Sequence, residues 1–162
     1  MEILRIYEYA LSREKEGKRF FEENAGRLQN AAAVGAFRRL VIEEQRHIDF
    51  IQYQIDQVNE KHTFSEDFKI NPNDNFFAQR IESENVQQSV DESMVADLPV
   101  LRMAYLIERD FAEFYEMASR KTEGEASEIL LMLANWEHSH EHLFKTLHDT
   151  AFELYANMPW GG

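Results

Sequence analysis

Two stretches of this chain, 93–94 residues apart, carry the same polar side chains in the same frame. Arg13–Glu22 aligns with Ile107–Glu116 at an offset of 94, which sets Glu14 on Glu108. Glu44-Gln45-Arg46-His47 aligns with Glu137-His138-Ser139-His140 at an offset of 93. The interval from the lone glutamate to Glu-x-x-His is 30 residues in one half and 29 in the other. With 22 glutamates and six histidines, about one Glu-x-x-His arises by chance and would mean little. Two copies in matching frames describe a duplicated unit, and whatever fold the chain adopts must bring two equivalent halves together.

Those halves read as helix pairs. Only three prolines and six glycines interrupt 162 residues, which favours long helices over strands and turns. Ile3, Tyr7, Ala10, Leu11, Phe21, Ala25 and Leu28 recur in steps of three and four and predict a helix over about 2–29. Asn30 can cap a second helix over 31–60, with Phe37, Leu40, Val41, Ile48, Ile51, Ile55 and Val58 on its stripe. Asp97 before Pro99 marks the start of a third, running to about 121. Gly124 marks a turn, and a fourth helix follows over about 125–157. Each helix would be about 40–50 Å long. Short loops make each pair antiparallel. The connection over 61–96 is long, with turn chemistry at Asn71-Pro72-Asn73-Asp74 and room for a short helix within 76–93. The reading is an all-α, single-domain four-helix bundle over 1–162, with pairs at about 2–60 and 97–157 joined by one crossover. The same layout allows a swapped dimer in which pairs exchange between chains.

Composition narrows the chemistry. Thirty acidic against 17 basic residues leave a formal charge of -13, which argues against nucleic acid or an anionic membrane as partner. There is no cysteine, so disulfides, thiolate nucleophiles, iron–sulfur clusters and cysteine zinc sites are excluded. The opening Met-Glu-Ile-Leu-Arg carries no targeting signal, and no apolar run is long enough for a membrane span, so a cytoplasmic protein is expected.

The informative residues are the polar ones that interrupt the apolar stripes. Glu14 follows Tyr7 and Leu11, and Glu44 and His47 lie between Leu40 and Ile51. Glu108 lies between Tyr105 and Phe111, and Glu137 and His140 between Leu133 and Phe144. All six fall near helix midpoints and should meet at one level of the bundle. Four buried carboxylates repel one another and lose several kcal/mol of solvation each. Two divalent cations would balance their charge, and two neutral imidazoles would complete the ligand set. Mixed oxygen and nitrogen ligation suits iron, with manganese and zinc as alternative occupants. The competing interpretation, an acidic helical module, leaves the in-frame repetition unexplained.

These motifs resemble a known family. Glu-x-x-Gly-x-x-Phe-Phe at 14–21, Glu-x-x-Phe-x-x-Phe-Tyr at 108–115 and the two Glu-x-x-His pairs look like those of a rubrerythrin, a di-iron protein of the ferritin-like superfamily. The resemblance covers about 1–60 and 97–157. It implies a carboxylate-bridged centre of two iron ions that reacts with hydrogen peroxide or dioxygen, an oxidoreductase of the oxidative-stress response. Carried over by motif, Glu14, Glu44, His47, Glu108, Glu137 and His140 become the metal ligands, with Glu44 and Glu137 bridging. Two departures stand out. The cysteine-bearing rubredoxin domain usual in the family has no counterpart in these residues, so a rubredoxin-like protein or flavoprotein is expected as external electron donor. An extra glutamate usual three residues after the third-helix ligand is here Phe111, and the remaining set is similar to the ferroxidase centre of bacterioferritins, which makes iron storage one alternative; a non-enzymatic metal-binding helical module is the other. A homodimer or a larger oligomer is the expected assembly.

Other residues carry weaker signals. Tyr105, one turn before Glu108, is a candidate redox residue, although core packing also accounts for it. Glu141 is a candidate extra ligand or a solvated side chain. His138, His142, His148 and His62 read as surface histidines, and Phe20, Phe21, Phe114 and Tyr115 as core aromatics. The tail from Met158 to Gly162 reads as a frayed end or a docking segment.

Overall fold

A computed structural model describes residues 2–60 and 90–159. It contains four α-helices: α1 (Ile3–Ala25), α2 (Ala31–Glu60), α3 (Leu98–Arg120) and α4 (Gly124–Ala156), with a 3₁₀ turn over Glu92–Asp97 ahead of α3. No strand occurs among the described residues. The predicted bundle is the observed one. Residues 61–89 of the crossover, and with them most of the stretch expected to hold a short helix (76–93), lie outside the described residues, as does the end of the tail. No helix among the described residues is long and apolar enough to cross a membrane.

Local chemistry explains the boundaries. Asn30 caps α2 as expected: its Oδ1 accepts from the amides of Ala32 at 2.9 Å and Ala33 at 3.1 Å, satisfying two of the N–H groups a helix start leaves unpaired. Asp97 works differently from a cap. It lies ahead of α3, with Pro99 in the first turn, yet its side chain makes no bond to α3. The buried carboxylate instead accepts from the amides of Gln29 at 2.7 Å and Asn30 at 2.9 Å. The start of α3 is thereby fastened to the turn between α1 and α2. Gly124 opens α4 with φ of 61°, a left-handed conformation that a Cβ would strain.

α1 packs along α2 and α3 along α4, and the pairs join through their inner faces. The core divides into two apolar layers. One is built around Phe21, Phe37, Leu40, Leu101, Phe144 and Leu147. The other is built around Tyr7, Ile51, Phe111, Tyr115, Leu130 and Leu133. In the first, Phe21, Phe37 and Phe144 meet ring to ring at 5.0–5.4 Å. α1 and α3 approach closely where Gly17 faces Phe111, for a Cβ at Gly17 would stand 2.8 Å from Phe111 Cε2. Between the two apolar layers lies a polar one.

Candidate metal centre

Each stripe delivers one or two polar residues to that middle layer. Glu14 comes from α1, Glu44 and His47 from α2, Glu108 from α3, and Glu137 and His140 from α4. All six are buried, the four glutamates completely. In each Glu-x-x-His the two side chains share a helical face because the spacing is nearly one turn. His47 Nδ1 lies 2.9 Å from Glu137, 3.4 Å from Glu44 and 3.5 Å from Glu14. His140 Nδ1 lies 3.4 Å from Glu137, 3.6 Å from Glu108 and 4.0 Å from Glu44. The two imidazoles stack at 5.7 Å between centroids.

The cluster resolves into two groups of four that could each hold a metal ion: Glu14, Glu44, His47 and Glu137, and Glu44, Glu108, Glu137 and His140. Within each group the ligand atoms lie within 4.8 Å of one another. Glu44 and Glu137 belong to both groups, as bridging residues would.

The electrostatics show what the layer lacks. Burial, and then repulsion from Glu137, drives Glu44 and Glu108 well above the ordinary carboxylate range. Burial opposes charge on either imidazole, but Glu137 and Glu14 at His47, and Glu108, Glu137 and Glu43 at His140, outweigh it and hold both well above the usual histidine value. Glu137 goes the other way: despite burial, the nearby charge of His47 and the hydrogen bond from His140 hold it well below the usual range. The protein alone thus balances its acids by taking up protons. Even so, both oxygens of Glu44 and of Glu108, Oε2 of Glu14, Oε1 of Glu137 and Nδ1 of His47 meet no hydrogen-bond partner. Proximity without aligned hydrogen bonds leaves buried donor atoms facing one another, an arrangement that costs free energy unless something positive fills it. Hard oxygen donors with two imidazoles match the chemistry of iron or manganese.

Tyr115, expected only to pack in the core, touches this layer, and so do Glu43 and Trp136, which no motif singled out. The Tyr115 hydroxyl donates to Glu14 Oε1. Glu43 pairs with His140 Nε2 on the side of the ring away from the cluster, which leaves Nδ1 facing inward. Trp136 stacks on His47 at 5.0 Å and 16°. Glu43 and Trp136 each immediately precede a Glu-x-x-His, and that adjacency was the available signal. Tyr105 is half-buried; its ring packs edge-on against His148 at 5.3 Å, with Arg109 and Lys145 nearby. Glu141 is engaged on the outer side, with Arg109 Nε at 3.1 Å and His138 Nδ1 at 3.4 Å. His138 also reaches Glu116 at 2.6 Å.

No curated protein and no solved structure matches the chain. A family model does: that of the rubrerythrins, over residues 5–148, a stretch that contains all six cluster residues and all but the outer ends of the helices that supply them. With an all-helical bundle and a buried Glu/His cluster fit to hold metal, the chain belongs to the rubrerythrin family, the di-iron branch of the ferritin-like superfamily.

Proposed function

We propose that this protein is a di-iron oxidoreductase that reduces hydrogen peroxide or dioxygen, with Glu14, Glu44, His47, Glu108, Glu137 and His140 as its metal ligands. The observation that carries the reading is the sharing of Glu44 and Glu137 between two complete four-ligand groups. A bound pair of Fe(II) ions would supply the two electrons and the Lewis acidity the reaction needs. The chain supplies the rest. The two apolar layers keep bulk water from the cluster on both sides along the bundle. Glu43 holds the His140 ring in one tautomer, with Nε2 outward and Nδ1 inward. Tyr115 places a buried O–H against Glu14, and burial with the Glu14 charge keeps that phenol protonated far into the alkaline range. Converting peroxide to two waters consumes two protons, and the Tyr115 hydroxyl is placed to pass one. Tyr105 would serve electron transfer toward the surface. These 162 residues hold no cysteine, so reducing equivalents must reach the centre from outside them, and a rubredoxin-like or flavin-bearing donor fits the proposal.

Anaerobic protein loaded with Fe(II) should oxidise quickly when peroxide is added; ferrous spectra that persist would defeat the enzymatic reading. A second reading, ferroxidase action feeding iron storage, draws on Phe111, whose buried ring lies against Gly17 where the family usually has a further glutamate. Accumulation of iron far beyond two ions per chain in a large symmetric assembly would favour storage. A homodimer that stops at two would favour the reductase.

A further inference from the structure

The internal repeat is broken at two positions that touch the cluster, and both breaks point the same way. At the offset of 93, Glu43 is the counterpart of Trp136; at the offset of 94, Phe21 is the counterpart of Tyr115. Three of these four side chains reach a cluster residue of the opposite half. Glu43 sets a carboxylate on His140 Nε2, whereas its counterpart Trp136 gives His47 only an aromatic face. Among the described residues, the carboxylates within ion-pair distance of His47 all meet it at Nδ1. Tyr115 donates a hydrogen bond into Glu14, whereas Phe21 has no hydroxyl and both oxygens of Glu108 lack a hydrogen-bond partner.

We propose that the two metal positions are unequal, that the one formed by Glu44, Glu108, Glu137 and His140 fills first, and that Glu43 is the positioning residue that sets this order. The inference rests on the metal-binding reading above. A carboxylate accepting the outer N–H of an imidazole fixes the ring and pushes electron density toward the inner nitrogen, which strengthens it as a ligand. A phenol donating to a carboxylate draws charge away and weakens that oxygen as a ligand. His140 receives the first effect and Glu14 the second. One position therefore has the better imidazole and an undiminished terminal carboxylate, and the other has neither.

The test is an anaerobic calorimetric titration of metal-free protein with cobalt(II), followed in parallel by the visible absorption of the bound ion. The expected isotherm shows two ions per chain in two resolved steps. Glu43→Gln, which keeps the shape and removes the charge, should weaken the first step about 10–100-fold and leave the second in place. Tyr115→Phe should strengthen the second step and leave the first. Both changes alter the ratio of the steps within one isotherm, which a general loss of folding does not do. Two equal steps in the wild-type protein would overturn the inequality while leaving metal binding intact. Equal weakening of both steps by Glu43→Gln would overturn the assignment to Glu43. A chain that binds no cobalt would overturn the metal-binding reading itself.

Discussion

Replacing Glu44 by leucine should stabilise the metal-free protein while destroying its response to metal. Glu44 is fully buried, neither of its oxygens meets a hydrogen-bond partner, and Glu137, Glu108 and Glu14 all repel its charge. An unsatisfied buried polar group costs about 1–3 kcal/mol, and burial holds Glu44 well above the ordinary carboxylate range, so in the metal-free protein its loss breaks no buried ion pair of the kind whose disruption is destabilising. Leucine also bridges the two apolar layers that flank the site. Each kcal/mol moves the melting temperature of a domain this size by about 2–4 °C, so Glu44→Leu should melt several degrees above wild type in chelator. Saturating divalent metal should reverse the order. Wild type gains about 2.7 kcal/mol at a free metal concentration one hundred times Kd, and the variant, having lost a ligand shared by both groups, gains little. Thermal melts by circular dichroism, in chelator and in manganese(II), provide the comparison. A Glu44→Leu variant that melts below wild type in chelator would refute the reasoning, because Glu44 would then support the fold without an ion.

Gly17→Ala sets helix propensity, which favours alanine by about 1 kcal/mol, against a Cβ placed 2.8 Å from the Phe111 ring. Overpacking of that kind costs about 1–3 kcal/mol. The variant should lose up to about 2 kcal/mol by urea denaturation, and Phe111→Leu in the same chain should recover part of it. Asp97→Ala removes a buried carboxylate from two amides at 2.7 and 2.9 Å. Because hydrogen bonds to charged groups are worth about 1.5–3 kcal/mol each, a loss near 3 kcal/mol is expected, and Asp97→Asn should cost less. Tyr7 is pushed up to about 12 by burial and by Glu125, against about 10 in an unfolded chain. The stability it contributes is therefore complete below pH 10 and lost as pH rises through about 12, which absorbance titration of a Tyr7→Phe difference pair would record.

That these six residues would cluster was legible because a helix repeats on a short period. A glutamate or histidine on an apolar stripe stands out in one dimension, and the duplicated frame shows which such residues meet. Asn30 was legible for a similar reason, since a cap acts on amides two and three positions ahead. Contacts across the bundle were not. Glu43 sits beside its stripe, and only the packing of α2 on α4 brings it to His140 Nε2. Tyr115 fits a core row whether or not its hydroxyl has a partner; Glu14, 101 residues away, supplies one. Asp97 reads as a helix start, yet its carboxylate serves the turn before α2. Tyr105 shares the α3 stripe with Glu108, but its ring sits among His148, Arg109 and Lys145. In the repeat, the mismatches Glu43/Trp136 and Phe21/Tyr115 held more information than the matches around them.

The central claim is that six side chains of one chain hold two ions sharing Glu44 and Glu137. Elemental analysis of iron-loaded protein, paired with a crystal structure of the same sample, tests it most directly. The account predicts two ions per chain, about 3.5–4 Å apart, each in contact with both shared glutamates. A chain that retains no metal, or ions held away from Glu44 and Glu137, would contradict it.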